Sequence, residues 1–138
     1  MKRILILPVI LLGLGLSACG HHLTNVPNAT SEIVITTPPP NPQTVSAPGA
    51  PSAITMNIGE HRNYAIMRSV TKDGQTTTTD VTGTSDFNFT DPAVAAMDVS
   101  GQLTALASGF TTLTVKYRNS SVDPTTTDQV TLDITVNP

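Results

Sequence analysis

Two stretches near the carboxyl end constrain this chain most. Leu113, Val115 and Tyr117 alternate with Thr112, Thr114 and Lys116, and Val130, Leu132, Ile134 and Val136 alternate with Thr131, Asp133 and Thr135. An apolar period of two buries one face of a strand and cannot bury one face of a helix. The same pattern starts at Ala53, with Ile54, Met56 and Ile58 on one face and Thr55 and Asn57 on the other. Gly59-Glu60 turns the chain into a second strand carrying Tyr64 and Ile66. Lys72-Asp73-Gly74-Gln75 holds an Asp-Gly turn signal ahead of a threonine-rich run that extends to Val81. Phe87 and Phe89 alternate next, Asp91-Pro92 breaks the run, Val94 to Met97 resumes it, and the Asp98–Gly101 turn feeds Gln102 to Leu106. Short strands with turn signals every 8 to 12 residues or so, and no stretch of helical periodicity, predict an all-β antiparallel sandwich or barrel over residues 53–138.

Such a domain has room for one modest core. The chain has one cysteine and no tryptophan, so neither an internal disulfide nor a large indole plug can supplement the aliphatic positions. Leu113 and Ile134 are accordingly expected to point inward.

That single cysteine, Cys19, sits in Leu16-Ser17-Ala18-Cys19-Gly20, where an apolar leader meets a polar sequence. Lys2 and Arg3 give the leader a cationic start, and Ile4 to Leu16 are apolar apart from Pro8, Gly13 and Gly15. A run of about 13 residues is a secretory signal core rather than the roughly 20 that a spanning helix needs. Leu16-Ser17-Ala18-Cys19 resembles the bacterial lipobox. The resemblance implies removal of residues 1–18, a diacylglyceryl group on the Cys19 thiol and acylation of its new amine. A covalent lipid on Cys19 is thus the only non-protein group expected, with no cofactor and no metal. Each buried methylene contributes about 0.8 kcal/mol, so one chain binds a membrane marginally and two or more hold it. An ordinary signal peptide with an incidental Cys19 is the weaker reading, because charge, apolar core and cleavage site agree.

Residues 19–52 read as a stalk. Pro38, Pro39, Pro40, Pro42, Pro48 and Pro51 crowd its second half, and proline-rich chain extends at about 3.1 Å per residue. One piece is out of character: Glu32-Ile33-Val34-Ile35-Thr36 is a β-prone run. It is either an apolar piece of linker or a strand in which Ile33, Val34 and Ile35 add to the open edge of a partner's sheet.

The folded part carries a second resemblance. Val81-Thr82, Phe87 to Asp98, Ser100 to Leu106, Gly109 and Leu113-Thr114-Val115 resemble the group 2 bacterial immunoglobulin-like domain over residues 53–136. Phe87 stands where that family has tryptophan, and Met97 where it has valine. The resemblance implies a single immunoglobulin-like β-sandwich, with Gly101 and Gly109 at turns where positive φ costs glycine little.

No residue pattern points to catalysis. His61 is the only histidine of residues 53–138, and no Gly-x-Ser-x-Gly elbow or glycine-rich phosphate loop is present. His21 and His22 read as solvated spacer residues, and Asp86, Asp91 and Asp98 as turn residues rather than a calcium site. Without Lys2 and Arg3, five basic residues face ten acidic ones, a formal charge of −5 that disfavours nucleic acid. The expected partners are a membrane, held through the lipid, and another envelope protein, with no small-molecule substrate. Gly20 in place of aspartate after the cysteine points, by resemblance, to the outer membrane of a Gram-negative envelope. An accessory subunit of an envelope assembly is the leading expectation; a surface adhesion module, a mobile-element exclusion lipoprotein and a ligand-binding lipoprotein are the alternatives.

Overall fold

The computed structural model describes residues 29–50, 52–118 and 127–138. The architecture is a β-sandwich. Its strands are β1 (Thr30–Thr36), β2 (Thr44–Ser46), β3 (Ala53–Asn57), β4 (His61–Asn63), β5 (Ala65–Lys72), β6 (Gln75–Asp80), β7 (Asp86–Phe89), β8 (Ala95–Met97), β9 (Gln102–Ala105), β10 (Gly109–Arg118) and β11 (Thr127–Asn137), with one 3-10 turn at Thr82–Thr84. One sheet runs β2-β1-β5-β6, the facing sheet runs β3-β11-β10-β7, and a small third sheet, β4-β9-β8, closes one side.

The alternation at the carboxyl end builds the second sheet. Leu113 and Val115 of β10, and Val130, Leu132, Ile134 and Val136 of β11, are buried on its inner face, and β10 and β11 pair antiparallel from Gly109 opposite Val136 to Arg118 opposite Thr127. The inward row of β10 continues to Thr111, which is fully buried because its hydroxyl accepts the Asp91 amide proton at 2.9 Å and so meets its polar requirement locally. One pair departs from the antiparallel expectation. β3 runs parallel to β11, with Ala53 opposite Asp133 and Asn57 opposite Asn137, because the chain enters β3 after crossing over from the other sheet.

That crossing corrects the expected boundary between stalk and domain. Residues 30–46 are not stalk: β1 pairs with β5 along its whole length, from Thr30 opposite Thr71 to Thr36 opposite Ala65, and Ile33 and Ile35 have no exposed surface. Pro38, Pro39, Pro40 and Pro42 lie in the connection between β1 and β2, where a missing amide proton costs no ladder bond. Thr37 closes that loop, donating its amide to the Gln43 carbonyl at 2.9 Å and accepting the Gln43 amide on its hydroxyl at 2.8 Å. The Ser46 hydroxyl donates across the sandwich to the Thr131 carbonyl of β11. A second correction concerns Ile58, expected inward with Ile54 and Met56. Met56 is buried, whereas Ile58 lies past the end of β3, just before Gly59 at φ +81°, and is 50% exposed.

β4 and β5 are one strand interrupted at Tyr64, whose amide donates to the Gly101 carbonyl at 2.9 Å. A side chain at Gly101 would place its Cβ 2.1 Å from the Tyr64 carbonyl oxygen, and Gly101 has φ +85°. The Asp98–Gly101 turn can therefore press against the first sheet only through glycine.

Two outcomes follow for stability. We expect Ile35→Asp to abolish the cooperative thermal transition of the whole domain, because it buries a carboxylate between the sheets; an unchanged melting curve would return residues 30–46 to the stalk. Gly101→Ala combines a clash with an unfavourable φ and is expected to cost at least ~2 kcal/mol in chemical denaturation, against a much smaller loss for Gly83→Ala, where the nearest atom to a Cβ is 3.9 Å away.

Candidate functional site: the two poles of the sandwich

The strand register defines two poles. At the first, the start of β1 meets the end of β10 and the start of β11. Arg68 of β5 points inward here on the face that carries Ile66 and is only 8% exposed. Its Nε donates to the Ser31 hydroxyl at 3.1 Å, and that hydroxyl donates to Asp128 Oδ2 at 2.5 Å. The Arg68 Nε to Asp128 Oδ2 distance is 3.6 Å, and the guanidinium lies 5.2 Å from the centre of the Tyr117 ring. The terminal nitrogen Nη2 is buried and has no hydrogen-bond partner among the described residues. The cluster ties both sheets together through a polar clamp on Ser31, the second residue of β1. Alternation of apolar residues did not reveal it, since Arg68 occupies an inward position in a run that reads as Ala-Ile-Met-Arg-Ser-Val.

At the opposite pole, three large apolar side chains face solvent: Ile58 after β3, Leu106 after β9 and Phe110 at the start of β10, the last 59% exposed. Backbone bonds place the first two side by side. The Gly59 amide donates to the Ala105 carbonyl at 2.9 Å, and the Ile58 amide to the Asn137 carbonyl at 3.1 Å. Phe110 sits opposite Thr135, two residues before Asn137 on the same strand.

Cys19, His21 and His22 lie outside the described residues. Ile33, Val34 and Ile35 form the middle of β1, already paired with β5, with Ile33 and Ile35 facing the core and Val34 half-buried between them, so in this fold they are not a strand free to add to a partner. The physical reason is that Ile33 and Ile35 fill the first sheet's half of the core. His61 stands alone at the surface, its Nδ1 2.9 Å from the Thr104 hydroxyl. Asp91 Oδ1 accepts the Ala93 amide at 3.0 Å, and Asp98 Oδ1 accepts the amides of Ser100 and Gln102 at 2.9 Å and the Ser100 hydroxyl at 2.6 Å. Among the described residues, no three His, Cys, Asp or Glu side chains come together.

The donors around Asp98, the Ser100 hydroxyl foremost and then the Gln102 amide, hold its carboxyl below the usual aspartate range. Glu60 is also lowered, first by the Asn57 amide and then by the Arg62 guanidinium. In comparisons with known proteins, no family model and no curated protein sequence matches this chain.

Two measurable consequences follow from these contacts. Asp128→Ala leaves Arg68 buried without its counter-charge and is expected to cost ~3 kcal/mol; the double variant Arg68→Met with Asp128→Leu should recover most of that loss, and a double variant no more stable than Asp128→Ala would show that the clamp is not the source. For Asp98, the folded pKa lies below the unfolded one, so its contribution is present above the ordinary aspartate range and is lost as pH falls through the depressed value. We therefore expect the acid side of the stability profile to be shallower in Asp98→Asn than in the parent, as followed by denaturation midpoints in a pH series.

Proposed function

We propose that this chain is a lipid-anchored envelope protein that holds a β-sandwich close to a bilayer as a protein-interaction module. The observation that carries this reading is the short path between anchor and fold. β1 begins at Thr30, and Ser31 is clamped by Asp128 and Arg68. Residues 20–29 separate the lipobox cysteine from that strand. Ten residues span at most about 35 Å even when fully extended. The domain is then held near the membrane with its first pole facing the tether, and the Ser31 clamp takes up any pull on β1.

The opposite pole, with Ile58, Leu106 and Phe110, faces away from the tether and is the surface this reading assigns to a partner protein. Single apolar side chains on a surface are common; what recommends these is that all three gather at the end of the sandwich remote from the anchor. Kinship with the group 2 bacterial immunoglobulin-like domains belongs to the same proposal. It is supported by Phe87 and Met97, which pack against the core in the positions the resemblance gives them, and by Gly101 and Gly109, which both have positive φ. Gly20 favours the outer membrane, and a structural or accessory role in an envelope assembly suits a module on a short tether.

Cys19→Ser tests the proposal. The parent chain is expected in the membrane fraction with an intact mass that includes acyl chains, and the variant in the soluble fraction without them. A variant that still sediments with membranes, or a parent that carries no lipid, would overturn the anchor.

A further inference from the structure

β6 is the edge of its sheet and differs from the other edges. All six of its side chains, Gln75 to Asp80, are exposed. Its ladder with β5 is regular from Met67 opposite Asp80 to Lys72 opposite Gln75, with no proline, lysine or bulge to blunt the outer side. By contrast, β2 at the other edge of the sheet is three residues long and its pairing shifts register. In the facing sheet, the β3 edge is covered where Arg62 Nη2 donates to the Thr55 carbonyl at 2.8 Å, and β7 has only four residues.

The ladder also shows which backbone groups of β6 are unspent. The Val81 amide donates to the Ile66 carbonyl at 2.9 Å. Antiparallel pairs alternate between those that exchange hydrogen bonds and those that do not, so Thr79 with Arg68, Thr77 with Val70 and Gln75 with Lys72 are the bonded pairs. The hydroxyl contacts fit this assignment. Thr76 to Thr71 at 2.8 Å and Thr78 to Ser69 at 3.3 Å fall on the other pairs, where side chains approach most closely. The amide and carbonyl groups of Thr76, Thr78 and Asp80 therefore point outward from the sheet, and no other described strand pairs with them.

We propose that this edge joins two copies of the chain, β6 pairing antiparallel with β6 of the second copy about a two-fold axis at Thr78. In that register Thr76 faces Asp80 of the other copy, Thr78 faces its counterpart and Asp80 faces Thr76, so every outward amide and carbonyl of both strands is used. Thr77 then lies opposite Thr79, and the one charged residue of the strand never faces its own copy. Threonine pairs are favourable across strands, and like charges directly opposite are not. A two-fold shifted to Thr77 would leave Asp80 beyond the paired residues. The strand is thus complementary to itself in hydrogen bonding, with no like charges set opposite each other.

The test is sedimentation equilibrium of the full chain in detergent, with Thr78→Lys and Thr78→Glu alongside. Position 78 is exposed, and its backbone makes no bond to β5, so both variants should keep the parent's circular dichroism melt. The parent is expected to dimerise. Each variant alone should dimerise at least about tenfold more weakly, because it sets like charges face to face on the axis, and an equimolar mixture of the two should regain the parent's affinity. A monomeric parent, a Thr78→Lys variant that dimerises as tightly as the parent, or a mixture no tighter than either variant alone would each overturn the proposal.

Discussion

The sandwich depends on β1. Its sheet runs β2-β1-β5-β6, and without β1 the short β2 has no neighbour and β5-β6 remains a bare hairpin, which is marginal in water on its own. The facing sheet would then expose Leu113, Val115, Leu132 and Ile134, all fully buried here. Ile33 and Ile35 close that side, and a buried isoleucine contributes about 1.5–3 kcal/mol relative to an exposed one. In a domain with no disulfide among its described residues, this strand cannot be spared.

Under the proposed lipid on Cys19, the place of β1 inside the domain shortens the tether. A long proline-rich stalk would let the module roam tens of ångströms from a membrane, whereas the described fold starts ten residues or so after Cys19. Pro38 to Pro42 instead form much of the loop that turns β1 into β2, where proline's lack of an amide proton is harmless. Proline-rich composition says that a segment avoids the interior of a ladder. It does not say whether the segment is a linker or a loop within a fold.

The clamp at the first pole and the uncovered edge of β6 are opposite solutions to one problem, the polar groups left at the margins of a sheet. Arg68, Ser31 and Asp128 satisfy most of one another's needs inside the fold, and the charged pair is tolerable because Tyr117 and both sheets hold it in place. β6 leaves its outward backbone groups to solvent or to another strand. Threonine makes this tolerable to the monomer, since its hydroxyl is at ease in water and its branched Cβ still favours extended chain.

The residues alone determine a good deal. The inward rows of β10 and β11 and the turn at Asp98–Gly101 with its glycine are legible, because each rests on local period or local φ. Other features were settled only by the tertiary structure: that Ile33 and Ile35 belong to this core, that β3 runs parallel to β11, that Arg68 is buried while Ile58 is not, and that β6 is open on its outer side. A period of two says which side chains share a face. Whether a second sheet covers that face, and which strand lies alongside it, depends on residues distant in the chain, and those are brought together only when the two sheets close.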